Sequence, residues 1–392
     1  MKKSNQSLLL ISTAVFLGSS TWLSGTAAAP VLKKLWALNE VQSSWLTASV
    51  QLGFITGTFL FALLNISDLF NTRKVFFLSA LAGAACNAAF AGISQYLDIA
   101  VFFRFLTGLT LAGIYPVGMK LIAQWFQSGL GWRLGIMVGA LTLGTSSPYL
   151  IFSVGGHFNW RLLMYAASIL AFLGGLLVLV GISDGPYLNK LARFDLRMAF
   201  KIFSSRKFRL QAFGYFGHMW ELYAFWSFTG SFLAASSMKH HSTSLASLPF
   251  ISFSVIGIGT LGCIGGGFLS MKTGEKAIAY ISLLVSGSLC LLSVFLFECP
   301  FWILIPVFIL WGIFVVSDSP QYSALAVKYG PPQYTGTALT IQNGIGFGIT
   351  VISIQLVAWL AQSIGWKWAF LFLAIGPLAG IWAMSRLKPF SK

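Results

Sequence analysis

Three ionisable side chains, Arg104, Glu221 and Asp318, sit inside long apolar stretches of this sequence. If those stretches cross a bilayer, each charge costs at least about 2.5–3.5 kcal/mol at mid-membrane, which makes it a functional candidate. At 1.5 Å of rise per residue, Arg104 lies about 9 Å along its helix from the end near Asp98, and Glu221 about 18 Å from the end near Arg209. The depths are close, so a guanidinium and a carboxylate could meet there. A planar donor fork at Arg104 suits an anionic substrate such as a carboxylate or nitrate. The competing reading is a strut, paired with Glu221 or with helix carbonyls. Glu221 follows His218 by three residues and shares its helical face. Desolvation penalises an ionised carboxylate and an imidazolium alike, which fits this pair for proton exchange. The alternatives are a buried salt bridge or a substrate hydrogen bond at Glu221, and a packing role for His218. Asp318, in Ser317-Asp318-Ser319-Pro320, lies about 26 Å along its helix, where Lys272 or Lys276 could pair with it. That favours a gate or structural role over substrate contact.

Neutral groups extend the candidate substrate site: Tyr115 beside Pro116, Trp226, and Gln342-Asn343. A Gly-rich run from Gly344 to Gly348 follows, suited to close helix contact or a flexing gate. Each of these residues also has a plain reading as helix packing. The cysteines Cys86, Cys263, Cys290 and Cys299 form no CxxC and no Cys/His cluster, so they read as small buried hydrophobes rather than a disulfide framework or a metal site. No HExxH, no P-loop glycine-lysine motif and no nucleophile elbow near a base is present. Enzyme chemistry and ATP-driven transport are therefore not expected of this chain, and no cofactor is.

The composition says what must position these groups. Of 392 residues, 57% are hydrophobic and 9% charged, against about 25% charged in a soluble domain. A single water-soluble domain is excluded, and so is a disordered chain. A bilayer core of about 30 Å needs roughly 20 apolar residues per helix. Twelve such runs are read, at roughly 7–28, 42–64, 75–93, 100–125, 133–153, 161–182, 210–235, 249–270, 277–297, 301–327, 335–361 and 366–385. Lys2-Lys3, the first run and Ala27-Ala28-Ala29 together resemble a secretory signal, but the run is long enough to span and its loss would leave an odd count. The formal charge of +16 does not point to nucleic acid, because the basic residues sit in short connectors rather than along one face.

With the N-terminus in the cytoplasm, only Lys33, Lys34, Arg161, Lys239 and Lys367 fall outside, and nearly all the other basic residues fall inside. Both termini are thus expected on the cytoplasmic side of a bacterial inner membrane. Trp36, Trp45, Trp125, Trp132, Trp160, Trp302, Trp366 and Trp368 near span ends agree with an aromatic belt. The two halves match at an offset of about 204 residues: Gly108 with Gly312, Pro116 with Pro320, Arg73 with Lys276, and Trp160-Arg161 with Trp366-Lys367. The expected fold is an all-α integral membrane protein of twelve transmembrane helices in two parallel six-helix repeats. The expected organisation is an N-terminal bundle at 1–183, a basic cytoplasmic linker at 184–209 and a C-terminal bundle at 210–392.

Over nearly its whole length the chain resembles the major facilitator superfamily. That family's loop signature, Gly-x-x-x-Asp-Arg-x-Gly-Arg-Arg, is similar to Leu64 through Lys74, where Asp68, Arg73 and Lys74 keep the acid and the basic pair. The second copy, Gly267 to Lys276, has Met271 where the acid would be. Arg104 and Gly108 match the fourth-helix Arg-x-x-x-Gly. Within the superfamily the pattern looks most like members grouped with nitrate/nitrite and cyanate porters. The resemblance implies a secondary active transporter working by alternating access. Because Asp68, Arg73 and Lys74 sit in a connector outside the cavity, they read as a cytoplasmic clasp between conformations. Gly135, Gly139 and Gly144 lead to Pro148 without the Gly-Pro pair that ends the antiporters' fifth helix, which tilts the reading toward uptake. The expected function is movement of a small anionic or polar solute, coupled to protons, by a monomer in the lipid bilayer. A proton-driven exporter is the alternative, and a membrane-embedded enzyme or sensor the remote one.

Overall fold

A computed structural model describes residues 2–126, 130–154, 159–187, 197–240, 247–331 and 334–388. Lys190 and Arg193 of the basic linker lie outside the described residues. A segment in lipid has no water to satisfy its backbone and must bond to itself, so every long apolar stretch is helical. Among the described residues these make twelve rods: α1 (Lys3–Leu35), α2 (Glu40–Leu63), α3 (Thr72–Ile93), α4 (Leu97–Ala123), α5 (Leu130–Val154), α6 (Trp160–Gly181), α7 (Arg206–His240), α8 (Leu248–Thr273), α9 (Glu275–Leu296), α10 (Phe301–Tyr329), α11 (Thr335–Ile364) and α12 (Trp366–Arg386). Eleven are both long and apolar enough to cross a membrane. The exception is α7, which has the length but carries Gln211, His218 and Glu221, all buried inside the protein. Helix α1 is built into the bundle, with Ile11, Ala14 and Trp22 fully buried.

Several rods are broken, and two breaks are related. Proline lacks the N–H and clashes one turn back, so a helix restarts with proline in its first turn. In α4 the helix stops at Leu111 and resumes at Tyr115 with Pro116; in α10 it stops at Ser317 and resumes at Ser319 with Pro320. Asp318 therefore occupies the break of α10. A third break, at Ser20–Leu23 of α1, frees backbone carbonyls that bind Arg104.

The repeat is visible in the packing as well. A Cβ on Gly108 of α4 would overlap the Val50 carbonyl of α2, and one on Gly312 of α10 the Val255 carbonyl of α8. Likewise α6 packs on α1 and α3, while α12 packs on α7 and α9. The repeats join along two seams, α2 with α11 and α5 with α8. Gly135 and Gly139 of α5 let α8 approach closely, since Cβ atoms there would lie 2.9 Å from the Cys263 carbonyl and 3.1 Å from that of Thr260. Exposed Ile169, Leu173 and Val180 on α6, and Leu284, Leu291 and Phe295 on α9, make the outer face apolar, as lipid contact requires.

Candidate functional site

Between the repeats lies a small cavity. Tyr115 of α4 and Val138, Leu141 and Thr142 of α5 form one wall. Across it, α7 contributes Tyr215, Met219, Leu222, Tyr223 and Trp226, a single face at helical spacing. Val316, Ser319 and Ser323 of α10, with Asn343 and Phe347 of α11, complete it. Among the described residues no Asp, Glu, Lys, Arg or His lines this wall. Beside it the rings of Trp22, Phe54, Tyr223 and Phe347 join α1, α2, α7 and α11, with Phe54 and Phe347 centred 4.4 Å apart. Three of the neutral residues picked from the sequence, Tyr115, Trp226 and Asn343, thus line the cavity. Gln342 does not: its side-chain carbonyl accepts from the Gln211 amide at 2.7 Å.

Arg104 is fully buried and off the cavity wall. Its Nη1 donates to the Thr21 carbonyl at 2.9 Å, Asn87 Oδ1 at 3.0 Å and Ser24 Oγ at 3.1 Å. Nη2 donates to the Trp22 carbonyl and Nε to that of Leu46 at 3.3 Å. The broken turn of α1 supplies two of those acceptors, so the guanidinium ties α1, α2 and α3 to α4. The contact with Glu221 expected from their depths is not formed. Glu221 instead lies wholly in the second repeat, where Trp311 Nε1 (2.6 Å) and Cys290 Sγ (3.3 Å) donate to Oε1 and Ser286 Oγ (2.7 Å) to Oε2. Each charge is met by neutral dipoles because those, and no opposite charge, sit within its reach.

His218 does not pair with Glu221 either. Its Nδ1 lies 2.9 Å from Asp318 Oδ1, with both side chains almost wholly buried. This is ion-pair distance, and His218 Nε2 has no partner among the described residues. The imidazole stands between Tyr215 and Tyr322, ring centres 6.1 and 5.8 Å away. Asp318 is therefore not paired with Lys272 or Lys276. It sits at the helix break, one residue before the cavity-lining Ser319, so the pair lies directly behind the wall.

The charged connectors also pair differently from expectation. Asp68 meets Lys120 of α4 at 2.6 Å, not Arg73 or Lys74. Arg73 reaches Asp184 at 3.0 Å and the Ile182 carbonyl at 2.8 Å, while the Lys74 backbone N–H is capped by Asn71. In the second repeat Glu275, four residues beyond Met271, meets Lys328 of α10 at 3.3 Å. An acid just before or at the start of the third helix thus holds the end of the fourth helix in each repeat. Lys272 lies over the Phe268 ring at 6.0 Å, and Lys276 forms no ion pair among the described residues.

Residues 9–354 match the profile of the Major Facilitator Superfamily. The chain belongs to that superfamily. This superfamily member is 29% identical over 180 residues to the niacin transporter NiaP of Acinetobacter baylyi, which is 42% of this chain and 37% of that one. It is 28% identical over 117 residues to a probable galactarate/D-glucarate transporter of Escherichia coli, 29% of this chain and 26% of that one. The matched stretches thus span well under half of those relatives. A crystal structure of the nucleoside transporter NupG shares the fold, with a TM-score of 0.73 at 16% identity over 97% of this chain and 98% of that one. The chain accordingly has the multi-pass, all-helical membrane architecture of this superfamily. Sequence reasoning about this member missed Tyr215, Tyr223, Ser319, Ser323, Asn87 and Trp311. For the first two a signal existed, the face of α7 shared with Trp226; for Asn87 and Trp311 only the fold brings the partner near.

Proposed function

We propose that the protein takes up a small, uncharged polar solute together with protons. Residues 1–183 rock against 210–392 about the seams α2–α11 and α5–α8, with 184–209 as the linker between them. It works as a monomer in a bacterial inner membrane, with both termini and the basic connectors cytoplasmic. The observation that supports this reading most is the cavity walled jointly by both repeats, since a site shared between two rocking bundles opens to one side at a time. A wall without formal charge among the described residues favours a polar over an anionic solute, because a buried ion without a partner is strongly penalised. Tyr115, Trp226 and Asn343 contact the solute. The His218–Asp318 pair carries the proton: its charge state depends on protonation, and it abuts the segment of α10 that bears Ser319 and Ser323. Arg104 and Glu221, saturated by fixed donors and acceptors, hold their own repeats together, and Asp68–Lys120 with Glu275–Lys328 steady the basic face.

Proteoliposomes containing an interior pH dye test this, challenged with a panel of small polar solutes. Solute addition is expected to drive proton entry, and Asp318→Asn to abolish that entry while solute counterflow persists. Vesicles in which no solute moves would overturn the transport reading, and unchanged proton entry in the variant would remove the pair from coupling.

A further inference from the structure

The cavity wall has a chemical character that narrows its occupant further, on the footing of the transport reading above. Five of its side chains are aromatic (Tyr115, Tyr215, Tyr223, Trp226 and Phe347) and a second group is aliphatic or thioether. Tyr223 meets Trp226 at 5.3 Å and 69° and Phe347 at 5.3 Å and 49°, so the rings form a corner that a flat molecule can enter edge-on to one ring and face-on to another. Eight of the fourteen lining side chains among the described residues also carry a polar atom. Among them, Trp226 Nε1 is a buried donor with no acceptor among the described residues, which leaves a cost that a ligand acceptor would remove. Thr142 Oγ1 is already spent on the Val138 carbonyl at 2.9 Å.

We propose that the cavity binds an uncharged heteroaromatic ring carrying a carbonyl or ring-nitrogen acceptor, with Trp226 Nε1 donating to that acceptor and the faces of Tyr223 and Phe347 packing on the ring. Three other classes fit less well. An anion finds no cation on the wall among the described residues, and Arg104 is turned to its own repeat. An organic cation would enjoy the ring faces but would leave the indole N–H unmet. A sugar carries hydroxyls around its whole rim, and those facing Val138, Leu141, Met219, Leu222 and Val316 would go unpaired.

Thermal unfolding of the purified full-length protein, with compounds at millimolar concentration, decides between these. Nicotinamide or hypoxanthine, both uncharged rings with acceptors, is expected to raise the unfolding temperature. Nicotinate and 1-methylnicotinamide place one negative or one positive charge on the same ring, and glucose offers hydroxyls without an aromatic face; none of the three should match it. Trp226→Phe keeps a ring and removes the N–H, and should weaken binding about tenfold, the weight of one hydrogen bond. Asn343→Leu, which keeps the branched shape and removes the amide, gives an independent loss should Trp226→Phe unfold. Equal or stronger stabilisation by a charged isostere or by glucose overturns the proposal, as does no stabilisation by either uncharged ring or undiminished binding in both variants. Proteoliposomes that move a charged isostere would sink this substrate class and leave transport standing; proteoliposomes that move nothing would sink both.

Discussion

A charge buried in an apolar protein need not meet an opposite charge if enough oriented dipoles surround it. Arg104 and Glu221 follow that rule, one surrounded by carbonyl, hydroxyl and amide oxygens and the other by indole, hydroxyl and thiol donors. The sequence allowed Arg104 to be either a substrate fork or a strut on helix carbonyls. The broken turn of α1 favours the second, because only non-helical residues leave carbonyls as free as those of Thr21 and Trp22. Lysine has one nitrogen where arginine has three arrayed in a plane. Arg104→Lys should therefore lower the unfolding free energy by on the order of 2 kcal/mol without altering which solutes bind. A melting curve in detergent superimposable on that of the wild type would refute the strut, and a change in solute preference would return Arg104 to the substrate site.

Among the elements, the fourth helix of each repeat carries the most information. Gly108 and Gly312 let α4 and α10 cross α2 and α8 at backbone contact, and Pro116 and Pro320 then break the same helices a few residues later. Both pairs were legible as an offset of about 204 residues, because close crossings and helix breaks are imposed by single residue types. Gly108→Ala and Gly312→Ala would each drive a methyl into a carbonyl oxygen that cannot rotate away, unlike a side chain. Each should cost about 1–3 kcal/mol, and the two losses should be alike, which folded yield or unfolding temperature would show. A tolerated Gly312→Ala beside a damaging Gly108→Ala would mean that the repeat is not matched in its packing.

Across the whole molecule, the connectors are stapled by ion pairs on both faces. On the face opposite Asp68, Glu298 between α9 and α10 meets Lys239 at the end of α7 and Lys367 (2.9 Å) at the start of α12. Hydrogen bonds from Lys239 and then Lys367 hold its carboxyl down from 4.5 to about 2. A carboxyl depressed on folding contributes stability that is complete above its unfolded value of 4.5 and disappears as pH falls toward 2. Glu298→Gln should consequently be less stable than the wild type at neutral pH, by a modest amount for an exposed cluster, and the two should converge as pH approaches 2. A gap that stays constant over that range would show that the staple does not contribute.

The twelve spans, the doubled architecture and the list of chemistry-bearing residues came from the chain read as a line. Lipid punishes unpaired backbone and stray charge so severely that both leave marks in local composition. Which side chains share a contact was decided only by folding. His218 lies three residues from Glu221 and a hundred from Asp318, yet it is Asp318 that stands 2.9 Å away. Asp68 likewise passes over Arg73 and Lys74 for Lys120. Short-range spacing fixes the direction a side chain leaves its helix, but its partner depends on which other helix lies in that direction, and that is set by the packing of glycine-lined seams between distant segments.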